Sequence, residues 1–405
     1  MRISLLLKRE PFGKIFEKTL AGFLQSRFRR SYTVKWRKAY SLSNPNSQLW
    51  LCNPYLNAIF VNEVCKEVLL PVIQEFSRST KLWRRPFQKL YVDLSTKQWA
   101  CKWFSSYIIE ISPPLKKAEN LLILGGNHHL RLLDYNEGAA FVIRKAGFDR
   151  ELLVDDIRVR KENPYLPTPV IQDIAEDGSW YSEELILGTP VNRLEDKEQG
   201  KRAVRDVMAP LVQLYEKTAR KVDLAEYTTG IVDRIEERIK RCSHFDRKTG
   251  DNLLKDLLEL NKIIKGWQNK EIVLAQTHGD FQPANILFGK EQAWLIDWEY
   301  TAERQIAYDG LVFALEARSS LGLKPRVLQA INDDVSECGQ VLSTIPYVRW
   351  QDRDERLESL ALFLVEKLDL KVMEVCNPVF FGLDKEFGLF CMEVKRAIQV
   401  IAGAC

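Results

Sequence analysis

The sequence predicts an α+β protein with a β-rich front and a helical back, and three observations predict it. Short apolar runs separated by tight turns fill residues 121–187. Long stripes of period 3.6 fill most of the chain beyond residue 187, and one stretch of strand-like runs around a polar loop, residues 273–299, interrupts them. The 405 residues suffice for two or three domains, with globular proportions of 46% hydrophobic and 28% charged side chains. No run approaches the roughly eighteen apolar residues of a membrane helix. The run at residues 4–7 is too short for a signal-peptide core and is followed at once by Lys8, Arg9 and Glu10. Eight cysteines without a Cys-x-x-Cys pair suggest neither a disulfide framework nor a zinc site, which points to reduced thiols in a cytoplasmic protein.

The formal charge of +4 conceals a split. Residues 1–120 hold 21 Lys and Arg against 8 Asp and Glu, leaving 38 against 47 for the rest. A basic front on an acidic back offers two surfaces to different partners, although a solvated basic face needs no partner at all. Phe12, Ile15, Phe16, Leu20, Phe23 and Leu24 recur at helical spacing and predict an amphipathic helix over 11–27. After it, Arg27, Arg29, Arg30, Lys35, Arg37 and Lys38 alternate with Phe28, Tyr32 and Trp36. That mixture suits an anionic surface, either phospholipid headgroups at a membrane or an acidic glycan, with nucleic acid disfavoured. Arginine stems and rings also cover apolar surface in ordinary domains. Residues 48–51 and 90–94 read as strands and 62–76 as a helix. Residues 1–118 thus form a basic α/β extension of unknown role.

From Asn120 the texture changes. Residues 121–124, 129–135 and 139–145 are three strands joined by tight turns at 125–127 and 136–138. On the third strand Lys145 shares a face with Phe141 and Ile143, and Arg144 takes its place if the register slips by one. A helix over 149–161, opened by Glu151 near its start, and a strand over 180–187 come next. Helices are predicted over 203–219, 231–241, 353–368 and 385–402. The stripe of Leu253, Leu254, Leu257, Leu258, Leu260, Ile263, Ile264 and Trp267 is wide enough to bury as core.

Within 273–299, Asp280 and Asn285 lie five apart on a loop that Pro283 keeps from becoming a helix, and Asp297 closes a strand twelve residues later. Phosphoryl transfer needs such parts: a carboxylate to receive the acceptor hydroxyl, and an amide and a second carboxylate to hold Mg²⁺ on nucleotide phosphates. A β-hairpin with polar turn residues would explain any one of the three. The ordered set with its flanking strands argues for the chemistry.

The run His278-Gly279-Asp280-x4-Asn285, followed by Ile296-Asp297-Trp298-Glu299, resembles the aminoglycoside phosphotransferase and choline kinase family of protein-kinase-like enzymes. The resemblance covers about the last two thirds of the chain. It implies a bilobal fold: a small β-rich lobe over 119–187 and a large helical lobe over 188–405. It implies that ATP and Mg²⁺ are used, that Asp280 orients or deprotonates the acceptor hydroxyl, and that Asn285 and Asp297 ligate the metal. Lys145 would pair with the α and β phosphates and Glu151 with Lys145, across a connection shorter than the family's. Backbone amides at Gly125, Gly126 and Asn127 would approach the phosphates. His278 would support the loop and Asp309 would brace it. The implied activity is phosphate transfer from ATP to a hydroxyl of a small molecule, a glycan or a lipid-linked sugar, in the cytoplasm or peripherally at its membrane. A cationic acceptor of the aminoglycoside or choline type, with Asp352, Asp354, Glu355 and Glu358 as acidic walls, is an alternative. So is a nucleotide-binding pseudokinase serving as an adaptor.

Overall fold

The computed structural model describes residues 2–38, 46–76, 82–242, 247–267, 271–289, 292–315, 322–332 and 341–404. The chain is α+β and divides into two compact units, Met1–Val154 with Pro169–Leu185, and Asp155–Thr168 with Ile186–Cys405.

The first unit contains α1 (Ile3–Arg9), α2 (Phe12–Phe28), β1 (Thr33–Lys38), β2 (Gln48–Asn53), β3 (Ala58–Val61), α3 (Lys66–Phe76), α4 (Arg85–Thr96), β4 (Tyr107–Ser112), β5 (Leu121–Gly125), β6 (His129–Asp134), β7 (Ala139–Arg144), the start of α5 (Glu151–Glu162), β8 (Ile171–Ile174) and β9 (Trp180–Glu184). All nine strands form one sheet in the order β1-β4-β2-β3-β5-β6-β7-β9-β8. Strands expected to belong to an extension and to a small lobe therefore share a ladder, joined where β3 pairs antiparallel with β5 at Ile59 and Ile123. The boundary expected at 118/119 is not followed by the compact units. The reason is physical: β3 is buried at all four positions, so both its faces need cover and both its edges need partners.

Most of the cover comes from the first 76 residues. On one face Ile3 and Leu6 of α1 and Phe12, Phe16, Leu20, Phe23 and Leu24 of α2 pack with Ile59, Ile123, Leu130, Phe141 and Ile143. On the other, Val68, Leu69, Val72 and Phe76 of α3 pack with Leu51, Phe60 and Leu122. Residues 90–94, expected as a strand, lie in α4. Over five residues an apolar run cannot separate the two periods; Pro86 in the first turn and the four-residue step from Phe87 to Tyr91 belong to a helix.

The second unit holds the rest of α5, then β10 (Thr189–Pro190), α6 (Lys197–Thr218), β11 (Arg220–Asp223), α7 (Leu224–Arg241), α8 (Arg247–Lys265), β12 (Glu271–Thr277), β13 (Ile286–Phe288), β14 (Ala293–Leu295), β15 (Ala302–Gln305), α9 (Tyr308–Ala314), α10 (Leu323–Ile331), α11 (Arg353–Val375) and α12 (Asp384–Ala404). Two three-stranded sheets, β10-β13-β14 and β11-β12-β15, lie among these helices. The core helix is α11, with Leu360, Ala361, Leu364, Val365, Leu368 and Val372 all buried. Asp352 caps it by accepting from the amides of Asp354 and Glu355, and Glu355 pairs with Arg349, so two of the expected acidic walls serve helix and loop. Among the described residues no helix is long and apolar enough to cross a membrane.

Glu366 ties α11 to its neighbours. Its Oε1 accepts from the Tyr227 hydroxyl at 2.6 Å and the Gln305 amide at 2.7 Å, and its Oε2 from Gln305 Nε2 at 3.0 Å. Burial nevertheless pushes this carboxyl up to about 7, against the pull of those donors. A carboxyl raised in the fold favours the folded state at low pH, and that contribution is lost as pH rises from about 4.5 to 7. Wild-type stability in denaturant titrations should fall across that window by about 3 kcal/mol relative to Glu366→Gln. Parallel pH profiles for the two proteins would contradict this.

Candidate active site

The catalytic-type loop runs from the end of β12 to the start of β13, and each of its parts is fixed by a named partner. Asp309, fully buried at the start of α9, accepts from the backbone amides of His278 (Oδ2, 2.7 Å) and Gly279 (Oδ1, 2.8 Å). The Tyr215 hydroxyl donates to the same Oδ2 at 2.8 Å. Burial, reinforced by the Asp309 charge, holds the Tyr215 phenol well above its usual range, so it stays a donor. The bracing role expected of Asp309 is thus visible in its bonds.

His278 is fully buried. Its Nε2 donates to the Ile296 carbonyl at 3.0 Å and its Nδ1 accepts from the Asp280 amide at 3.2 Å, which fixes the tautomer and fastens the loop to the segment before Asp297. Its ring stands edge-on to buried Trp298, centroids 4.7 Å apart. Between them Gly279 turns at φ +88°, where an added Cβ would meet the Tyr300 carbonyl oxygen at 2.0 Å. Only glycine fits. Gly279→Ala should therefore destabilise by at least about 2 kcal/mol and abolish activity, read by thermal melting and phosphate release. A variant that melts normally would show the loop to be more pliant than this close approach allows.

Asp280 and Asn285 are brought together. Asn285 Nδ2 donates to the Asp280 carbonyl and to its Oδ2, both at 2.9 Å, and Gln282 Nε2 donates to the same Oδ2 at 2.6 Å. Asp297 sits at the same end of the β13–β14 hairpin as Asn285. Ile286 pairs with Leu295, and the Ile296 amide donates to the Asn285 carbonyl at 3.0 Å. Asp297 itself takes a left-handed turn at φ 70°, a conformation aspartate tolerates better than most residues.

The donor set fits Mg²⁺. Asn285 spends its amide nitrogen on Asp280, which leaves Oδ1, a hard oxygen, as the atom for a cation, and Asp297 supplies a carboxylate. Among the described residues no group of three His, Cys, Asp or Glu gathers that could hold a metal unaided. Magnesium is commonly held by only one or two protein oxygens, with phosphate and water completing the shell.

The expected nucleotide residues of the first unit have partners of their own. Lys145 lies on the face of Phe141 and Ile143, as expected, but that face is covered by the first two helices. Its Nζ is fully buried and within hydrogen-bond distance of four oxygens: Glu10 Oε1 (2.6 Å) and Oε2 (2.8 Å), Asn127 O (2.7 Å) and Gly126 O (3.2 Å). Its carboxylate partner is therefore Glu10, and the pairing expected with Glu151 is corrected. Glu151 is exposed at the start of α5, beyond a turn in which the Phe148 amide donates to the Lys145 carbonyl. The Gly125 amide donates to Asn57 Oδ1 at 3.2 Å, and a Cβ on Gly125 would meet Ile3 Cγ1 at 2.8 Å. Arg9 Nη2 donates to Asn127 Oδ1 at 3.0 Å. The glycine turn is thus clasped by residues 3–10 and Asn57. Arg144 points elsewhere, donating to the Phe148 carbonyl at 2.9 Å.

Sequence reasoning missed Glu10, Asn57, Tyr215, Gln282 and Lys367. Burial pushes the ammonium of Lys367, on α11, down, while the Asp280 and Glu374 carboxylates pull it up.

No protein-family model and no curated protein sequence matches the chain. Solved structures do. A choline/ethanolamine kinase family protein from Mesorhizobium loti aligns at 14% identity and TM-score 0.46, covering 69% of this chain and 92% of that one. The choline kinase LicA from Streptococcus pneumoniae aligns at 13% and 0.44 over 72% and 92%, and the gentamicin complex of APH(2″)-IIa at 12% and 0.45 over 67% and 90%. The solved structures it resembles are choline/ethanolamine kinases and aminoglycoside phosphotransferases, the family whose motif the loop resembles.

Proposed function

We propose that the protein is an ATP-dependent phosphotransferase acting on a hydroxyl of a small molecule or glycan. One observation carries this reading: Asp280, Asn285 and Asp297 converge on one loop and hairpin end, the first two directly hydrogen-bonded and the loop amides pinned by Asp309. With a loose transition state, such catalysis is positioning and charge neutralisation rather than covalent chemistry. The Asp280 carboxylate receives the acceptor hydroxyl and its proton, oriented by Asn285 and Gln282. Asn285 Oδ1 and Asp297 would hold Mg²⁺, which when bound neutralises charge on the nucleotide phosphates. Reduced thiols and the use of ATP put the reaction in the cytoplasm on this reading.

A nucleotide-binding adaptor without phosphate transfer is the second reading, favoured by Lys145, whose ammonium is already surrounded by Glu10 and two carbonyls. The experiment presents the full-length protein and Mg·ATP, labelled on the γ phosphate, with pools of sugars, aminoalcohols and glycans. Label transferred to an acceptor, with slow phosphate release to water in its absence, is the expected result. Nucleotide binding with neither would establish the adaptor.

A further inference from the structure

We propose that α4 and the short 3₁₀ turn Cys101–Phe104 form a membrane-docking face that lies in the headgroup region of an anionic bilayer. Three observations carry it. First, the apolar stripe of this segment points at solvent. Trp83, Phe87 and Leu90 are 65, 70 and 58% exposed, while the helix buries Val92 and Ser95 on another side. Trp99 and Trp103 are 64 and 70% exposed and stand edge-to-face with centroids 5.9 Å apart. Monomeric proteins seldom expose this many large rings in 21 residues without a partner for them.

Second, the two stretches belong to one surface. Tyr91 of α4 meets Phe104 of the 3₁₀ turn edge-to-face at 5.5 Å, and its hydroxyl bonds with the Asn53 side chain, so both stretches are anchored to the sheet beneath.

Third, the charge chooses the partner. Residues 83–104 carry Arg84, Arg85, Lys89, Lys97 and Lys102 against Asp93 alone. All five cations are exposed, and the Arg84 guanidinium lies 4.8 Å from the centroid of the Trp83 ring. Tryptophan and phenylalanine beside lysine and arginine is the composition of a helix lying in an interface plane, with rings at the acyl boundary and cations on anionic headgroups. At twelve residues α4 is about 18 Å long, too short to cross a bilayer and suited to lying on one. Two of the arginines first expected to provide the anionic contact are already engaged by acids. Arg27 pairs with Glu137 and Asp173, and Arg29 with Glu176.

This proposal is independent of phosphate transfer, and its test is too. Full-length protein is sedimented with phosphatidylcholine vesicles with and without phosphatidylglycerol, and its tryptophan emission is recorded. Binding only to the anionic vesicles, a blue shift, and weakening by salt are expected. Phe87→Glu with Leu90→Glu should lower vesicle affinity about tenfold or more, as should Trp99→Ser with Trp103→Ser, at unchanged melting temperature. Arg27→Gln with Arg29→Gln should leave it unchanged. Failure of the wild type to bind, or binding undiminished in both variant pairs, overturns the proposal. A concentration-dependent dimer abolished by the Phe87/Leu90 pair would overturn it in favour of self-association.

Discussion

Asp280→Ala should lower phosphate transfer by about a hundredfold or more while Mg·ATP still binds. On the proposed reading this carboxylate receives the hydroxyl proton, and two amide nitrogens converge on its Oδ2. Removing it leaves the second anchor of Asn285 in place, since Nδ2 also donates to the Asp280 carbonyl. Asn285 therefore keeps its position, and nucleotide affinity should change little. Asp280→Asn is the stricter control. It preserves volume but offers no base, so it should match Asp280→Ala in turnover. Release of ADP from saturating ATP gives the rate, and calorimetric titration with Mg·ATP the affinity. Asp297→Ala should show the opposite split, with affinity lost first, because its carboxylate would hold the metal. Near-normal turnover in Asp280→Ala would remove the central claim about this loop.

How far each feature was legible in the sequence depends on how local it is. The loop from His278 to Asp297 was readable because all its parts fall within twenty residues and the spacing alone sets them on one turn and one hairpin end. Asp309 was readable as a brace through the resemblance, and its two backbone acceptances bear that out. The helices of the second unit were readable from their stripes. By contrast, Glu10 and Lys145 are 135 positions apart, and nothing in Lys8-Arg9-Glu10 marks the glutamate as anything but a surface charge. The single sheet was hidden for a related reason. β3 and β5 look like ordinary buried strands, and only their pairing at Ile59 and Ile123 shows that the basic front and the strands after it are one layer. Residues 90–94 were misread because a short apolar run carries both periods at once.

The Lys145–Glu10 pair gives the prediction with the largest effect on stability. Both side chains are fully buried and the ammonium touches four oxygens. Burial pushes the Glu10 carboxyl above its usual range, and Lys145 pulls it back. Glu10→Ala would strand a buried ammonium among carbonyls and should cost about 3–5 kcal/mol, the range found when one partner of a buried pair is removed. Lys145→Met should cost less, because an isolated buried carboxyl can take up a proton. Glu10→Gln combined with Lys145→Met should recover most of the loss, since replacing both charges removes the desolvation penalty together with the attraction. Denaturant unfolding of the four proteins closes the cycle. The double variant also decides what Lys145 does for nucleotide. If the ammonium is an anchor between residues 3–10 and the Gly125–Asn127 turn, the folded double variant should bind Mg·ATP nearly as the wild type does. If it binds a phosphate directly, affinity should collapse in a protein that is otherwise stable. Equal destabilisation by both single variants with no recovery in the double would mean that packing around Phe12 and Phe148, rather than charge, holds this corner together.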